Sequence, residues 1–129
     1  MRVLMERYAV IALGGALGAT ARYAIGGAVQ QWAGSRFPYG TLVINLTGCL
    51  VMGVAMTLVT ERGVVHPNWR FLIPVGFIGA YTTFSTFEYE TFRAVEQGGA
   101  LLALANIFVS VVLGFASVAA GIVMTRQLL

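Results

Sequence analysis

Long apolar stretches alternate with short polar segments along this chain. Apolar residues dominate 8–29, 41–60, 69–95 and 101–124, and each stretch reaches the roughly 20 residues that an α-helix needs to cross a bilayer. Glycine, proline and charged residues concentrate in the short segments between them. The pattern predicts an all-α membrane protein that forms one domain, 1–129, with four transmembrane helices.

Composition supports this prediction and excludes several classes of function. Of the 129 residues, 58% are hydrophobic and only 10% are charged, against roughly 25% charged in an average soluble domain. Four spans use nearly the whole chain, so we expect no soluble domain. The formal charge of +3 comes from scattered arginines, so nucleic acid is not an expected partner. The single cysteine excludes a disulfide framework.

The first span carries a face of small residues with one charge. Gly14, Gly18, Arg22 and Gly26 recur every four residues, which places them on one side of a helix. Glycines in this arrangement let a second helix approach closely. An intramembrane arginine normally faces protein or water, so Arg22 either lies inside the bundle or snorkels to the interface.

The second and fourth spans each carry a polar stripe. In the second span, Thr41, Asn45 and Gly48 share one face. Asn45 either bonds a neighbouring helix or lines an aqueous path, and the residue pattern leaves both open. The stripe of the fourth span consists of Asn106, Ser110, Gly114, Ser117 and Gly121. Several polar stripes in one small membrane protein favour a shared aqueous pathway.

The third span contains residues that weaken a helix. Gly79 lowers helix stability by about 1 kcal/mol relative to alanine, and the hydroxyls of Thr82 and Thr83 compete for backbone groups. We expect a break across 79–82, near the middle of the span, whose freed carbonyls suit a monovalent cation. After the break, Phe84 and Phe87 share a face, where ring edges with partial positive charge would help to replace the water around an anion.

Two motifs make a family resemblance specific. Gly-x-x-Gly-x-x-Thr-Thr-Phe-Ser-Thr-Phe occupies 76–87 and Gly-Thr-Leu-x-x-Asn-Leu occupies 40–46, with Arg22 in the first span. Together with the four-span layout over essentially the full length, they closely resemble the Fluc (CrcB) family of bacterial fluoride channels. Two positions depart from the family pattern, since Ala80 replaces a usual glycine and Tyr81 a usual aliphatic residue.

The resemblance implies a passive fluoride channel of the bacterial inner membrane, and not an enzyme. Two identical chains, antiparallel in the membrane with dual topology, would form a homodimer that encloses two fluoride pores. A structural Na⁺ at the dimer interface would bind main-chain carbonyls of Gly79 and Thr82 from both chains. The residues implied at the fluoride pore are Thr41, Asn45, Thr83, Phe84, Ser85, Phe87 and Ser110, with Arg22 near the pore mouth and Glu90 as a further functional residue.

A small proton-coupled multidrug exporter is the alternative interpretation, because such exporters are also four-span antiparallel dimers of similar length. They depend on a carboxylate deep in the first span, whereas this chain has only Glu6 at the edge of that span. The arginines divide five against three between the two expected sides of the membrane. This small excess favours cytoplasmic termini, and dual insertion remains our expectation.

Overall fold

The computed structural model describes residues 1–63 and 65–129, and all regular secondary structure within these ranges is helical. Three of the described helical segments are long and apolar enough to cross a membrane, namely Arg2–Ala33, Tyr39–Glu61 and Ala100–Leu128. The prediction of a helical membrane protein is therefore confirmed, and each segment extends beyond the span predicted within it. The helices are α1 (Arg2–Ala33), α2 (Tyr39–Met56, continued by the π-helical stretch Thr57–Arg62), α3 (68–81), α4 (Phe84–Glu96) and α5 (Ala100–Leu128).

Helix α3 is a composite of three helical segments. Asn68–Arg70 and Gly79–Tyr81 are α-helical, and the intervening Phe71–Ile78 is π-helical. Pro74 lies inside the π-helical segment and has no N–H to complete an α-helical hydrogen bond, so we attribute the wider turns to it. Residue 64 lies outside the described ranges.

A break separates α3 from α4 at Thr82 and Thr83. Thr82 has φ −82° and ψ 159°, and Thr83 has φ −150° and ψ 119°, so both residues are extended. A break is present as predicted and includes Thr82, but the prediction that it begins at Gly79 was wrong, because Gly79–Tyr81 is still helical. The helix ends instead where two β-branched residues with competing hydroxyl groups follow each other.

Glycine faces bring the helices together. A Cβ atom on Gly14 or Gly18 of α1 would collide with the backbone of α3. Between α2 and α5, a Cβ atom on either Gly53 or Gly121 would lie 3.2 Å from the Cα of the other. The face predicted in α1 from four-residue spacing is thus a helix contact, as in other close-packed membrane helices.

The outer surface of the bundle is apolar. Leu101, Phe108 and Phe115 of α5 are 81%, 69% and 79% exposed. The largest fully buried side chains are Ile78 and Asn106, so a polar amide belongs to the interior. Large apolar residues outside, with small and polar residues inside, is the arrangement expected of helices surrounded by lipid.

Candidate functional site at the helix break

Asn45 of α2 holds the extended backbone of the break. Its Oδ1 accepts a hydrogen bond from the Thr83 backbone N–H at 2.8 Å, and its Nδ2 donates to the Thr83 carbonyl at 3.1 Å. Both backbone groups have left the helix, and in a bilayer each would cost several kcal/mol without a partner. An amide has two N–H hydrogens, so one is not used by the bond to Thr83. Asn45 can therefore support the break and still offer a donor.

The break starts a new helix inside the protein. Thr83 caps α4, because its hydroxyl oxygen accepts from the Thr86 N–H at 3.2 Å. The same oxygen lies 3.1 Å from Thr86 Oγ1 and 3.4 Å from Ser85 Oγ. A helix N-terminus carries unpaired N–H groups and a partial positive charge. The hydroxyl cluster and the helix end together supply donors suited to an anion.

A cavity of about 300 Å³ lies beside the break, and we call it the groove. The Phe84 and Phe87 rings are tilted by 41° with their centroids 5.8 Å apart. Phe87 is 6% exposed, whereas Phe84 is 74% exposed, so the aromatic wall is open on the Phe84 side. Polar and aromatic residues that line the groove include Asn45, Thr82, Thr83, Phe84, Phe87 and Ser110.

A second cavity, of about 630 Å³, has Thr83 in its lining, as the groove does. We call it the Arg22 cavity. Thr41 Oγ1 donates to Glu90 Oε1 at 2.8 Å, while Glu90 Oε2 is buried without a hydrogen-bond partner in the described part of the chain. The lining of the Arg22 cavity includes Arg22, Thr41, Thr83, Thr86 and Glu90. A basic and an acidic residue therefore share a cavity that has Thr83 in common with the groove.

Two of the predicted residues lie outside both cavities. Ser85 is exposed, and the 3.4 Å contact between its Oγ and Thr83 Oγ1 is its link to the site. Gly79 is exposed at the C-terminal end of α3. Within 1–63 and 65–129, no group of three or more His, Cys, Asp or Glu side chains is placed to hold a metal ion. A cation at the break would depend on backbone carbonyl groups.

Tyr81, which departs from the family pattern, anchors the end of α3. Its hydroxyl oxygen lies 2.9 Å from Thr47 Oγ1, and its ring stacks on Phe77 with the centroids 5.6 Å apart. A Cβ atom on Gly48 of α2 would collide with the Thr82 side chain. Tyr81 thus adds a hydrogen bond where α2 and the break are in close contact.

Sequence reasoning missed Gln30 as a residue that shapes the site. Its Oε1 accepts from the Gly40 N–H at 2.9 Å, and its Nε2 donates to the carbonyls of Gly34 and Phe37. These bonds tie the end of α1 to the start of α2, and Gln30 also lines the Arg22 cavity. No spacing in the sequence marks Gln30, because all three partners are backbone groups.

These features define an all-helical membrane protein with a groove at a broken helix, where a few polar side chains lie among apolar ones. The sequence model of the family described as "CrcB-like protein, Camphor Resistance (CrcB)" matches residues 9–122. The chain therefore belongs to the CrcB-like family, and the resemblance drawn from its motifs is confirmed.

Relatives in several organisms are similar to nearly the whole chain. A Solibacter usitatus protein named "Fluoride-specific ion channel FluC" is 51% identical over 121 residues, which cover 94% of this chain and 99% of that protein. An Acidobacterium capsulatum protein of the same name is 48% identical over 122 residues, or 95% of this chain and 98% of that protein. One from Citrifermentans bemidjiense is 45% identical over 124 residues, or 96% and 100%.

Proposed function

We propose that the chain is a passive fluoride channel of the bacterial inner membrane. The observation that carries the proposal is the groove, where Asn45, Thr83 and Ser110 bring amide and hydroxyl groups beside two phenylalanine rings. The family membership, and the name of relatives that are 45–51% identical, support fluoride as the ion. Transport of this kind requires no covalent step and therefore no catalytic residue.

The physical basis of the proposal is replacement of water around a small anion. Fluoride binds water tightly, so a dry path must offer hydrogen-bond donors at each step without holding the ion too strongly. The unused N–H of Asn45, the hydroxyls near Thr83 and the N-terminus of α4 would supply these donors. Phenylalanine ring edges would add partial positive charge. Arg22, in the adjoining cavity, would raise the local concentration of anions.

We infer that α3 and α4 together form one interrupted transmembrane span, which makes four spans in all. Only two residues, Thr82 and Thr83, separate the two helices. The bonds from Asn45 satisfy the Thr83 backbone groups that the interruption frees from the helix. An interruption whose backbone groups have protein partners is compatible with a position inside the bilayer.

Two chains in antiparallel orientation are part of the proposal. Phe84 is 74% exposed beside the buried Phe87, so a second copy would complete the aromatic wall of the groove. The near-balanced arginines support insertion in both orientations. A tag at one terminus should then be labelled equally from both sides of the membrane, and labelling from one side alone would contradict dual topology.

A structural Na⁺ between the two chains is proposed on the chemistry of the break. The Thr83 N–H bonds to Asn45, so it is not available to the Gly79 carbonyl, its partner in a continuous helix. Freed carbonyls of this kind suit a monovalent cation, and Gly79 is exposed, so a second chain can reach it. The carbonyls of Gly79 and Thr82 would hold the ion. Fluoride efflux from liposomes prepared with and without sodium tests this role, and equal efflux would contradict it.

A growth assay separates this function from that of a multidrug exporter. Cells that lack their own fluoride exporter should regain growth on fluoride when they express this chain. The same cells should gain no resistance to toxic organic cations, because the first span has no deep carboxylate to couple protons to their export. Rescue on organic cations alone would overturn the proposal in favour of the exporter.

A further inference from the structure

A chain of three hydrogen bonds links the groove to the backbone of α4. Ser110 Oγ donates to Asn106 Oδ1 at 3.3 Å, Asn106 Nδ2 donates to Thr91 Oγ1 at 2.8 Å, and Thr91 Oγ1 donates to the Phe87 carbonyl at 2.8 Å. Asn106 is 2% exposed and Thr91 is 7% exposed. Ser110 also lines the groove, so one end of this series of hydrogen bonds lies at the proposed ion path.

The order of donors fixes the orientation of the buried amide. A hydroxyl has a single hydrogen, and that of Thr91 goes to the Phe87 carbonyl, so Thr91 Oγ1 can only accept. Asn106 must therefore direct its Nδ2 towards Thr91 and its Oδ1 towards Ser110. In that state the hydroxyl hydrogen of Ser110 points to Asn106, and an ion in the groove would meet oxygen lone pairs.

We propose that Asn106 is a positioning residue that competes with the anion for the hydroxyl hydrogen of Ser110. The inference rests on the proposed function, since it assumes that fluoride passes Ser110. The Ser110–Asn106 distance of 3.3 Å is long for a bond between a hydroxyl and an oxygen, so the hydrogen is held weakly and can turn to the ion. Asn106 thereby limits how tightly the groove binds fluoride and keeps the exit of the ion fast.

The test measures fluoride flux into liposomes at a series of fluoride concentrations and compares each variant with the wild type. Asn106→Leu removes the competing acceptor, so the fluoride concentration at half-maximal flux should fall by about two- to tenfold, the factor that one neutral hydrogen bond contributes. In the Ser110→Ala background, the same substitution should leave that concentration unchanged. An equal shift in both backgrounds, or no shift in either, would overturn the inference.

A second variant tests the role of Asn106 through a smaller change to the protein. Thr91→Val removes the acceptor that orients the amide, so Asn106 can turn its Nδ2 to Ser110 and free the Ser110 hydrogen. The half-saturating concentration should again fall. An unchanged value in a folded Thr91→Val protein would contradict the proposed role of Asn106, even if Asn106→Leu does not fold.

The matched control is Thr125→Val, which removes a buried hydroxyl of α5 that bonds to the Gly121 carbonyl at 2.8 Å and lies outside the groove lining. It should not change the half-saturating concentration, and a shift as large as that of Asn106→Leu would overturn the inference. Absence of fluoride flux in the wild type would refute the proposed function itself, whereas wild-type flux without the Ser110-dependent shift refutes only the role of Asn106.

Discussion

Replacing Asn45 by aspartate changes one atom type at the centre of the site. The carboxylate keeps the acceptor that pairs with the Thr83 N–H at 2.8 Å. Its other oxygen replaces the Nδ2 group that donates to the Thr83 carbonyl at 3.1 Å, so two acceptors face each other. Thr83 is 7% exposed, and water can therefore do little to compensate. Asn45→Asp thus removes a donor from the break and adds a negative charge to the groove.

The two consequences differ in size. A buried carbonyl left without a donor costs about 1–3 kcal/mol of stability. For the ion, a fixed negative charge about 4 Å away, at an effective dielectric constant of about 20, is unfavourable by about 4 kcal/mol. Since each 1.4 kcal/mol is about a factor of ten, fluoride flux should fall by about 10³-fold. The free-energy cost to the ion, about 4 kcal/mol, therefore exceeds the cost to stability, about 1–3 kcal/mol.

The assay measures fluoride efflux from liposomes with a fluoride electrode, after gel filtration shows that the variant is folded. Tyr81→Phe is the matched control, because it removes a neutral hydrogen bond between α2 and α3 outside both cavities. It should cost about 1 kcal/mol of stability and leave flux unchanged. Undiminished flux in Asn45→Asp would refute the position of Asn45 on the ion path.

Three further predictions concern packing, the Arg22 cavity and the surface. Gly18→Val should abolish the folded protein, seen as aggregation in gel filtration, because its side chain would collide with the α3 backbone. Thr41→Val should lower fluoride efflux, because it removes the hydroxyl that donates to Glu90 at 2.8 Å and leaves a half-buried carboxylate without that donor. Glu61→Gln should change neither thermal stability nor flux, because its ion pair with Arg126 is exposed to solvent.

The helix contacts could be predicted from sequence because they follow from helical spacing alone. Gly14 and Gly18 lie four residues apart on one face, and that face packs on α3. The presence of a break was predictable for a similar reason, since glycine and threonine weaken a helix wherever it packs. These features depend on local chemistry, which a single sequence contains.

The position of the break depended on a tertiary contact that spacing does not reveal. Local propensity favoured a break that begins at Gly79, yet Gly79 is helical and the extended residues are Thr82 and Thr83. Asn45 stabilises the extended form at Thr83 through two bonds across 38 residues of sequence. The orientation of Asn106 was unpredictable for the same reason, because it depends on a hydroxyl of another helix, that of Thr91.

Fluoride efflux from liposomes that contain the wild-type chain tests the central claim most directly. Liposomes loaded with fluoride and given a membrane potential should release the ion far faster with the protein than without it. The Asn45→Asp protein, reconstituted at the same density, should release fluoride about 10³-fold more slowly than the wild type. Wild-type efflux no faster than that of protein-free liposomes would contradict the account of the groove as a fluoride path.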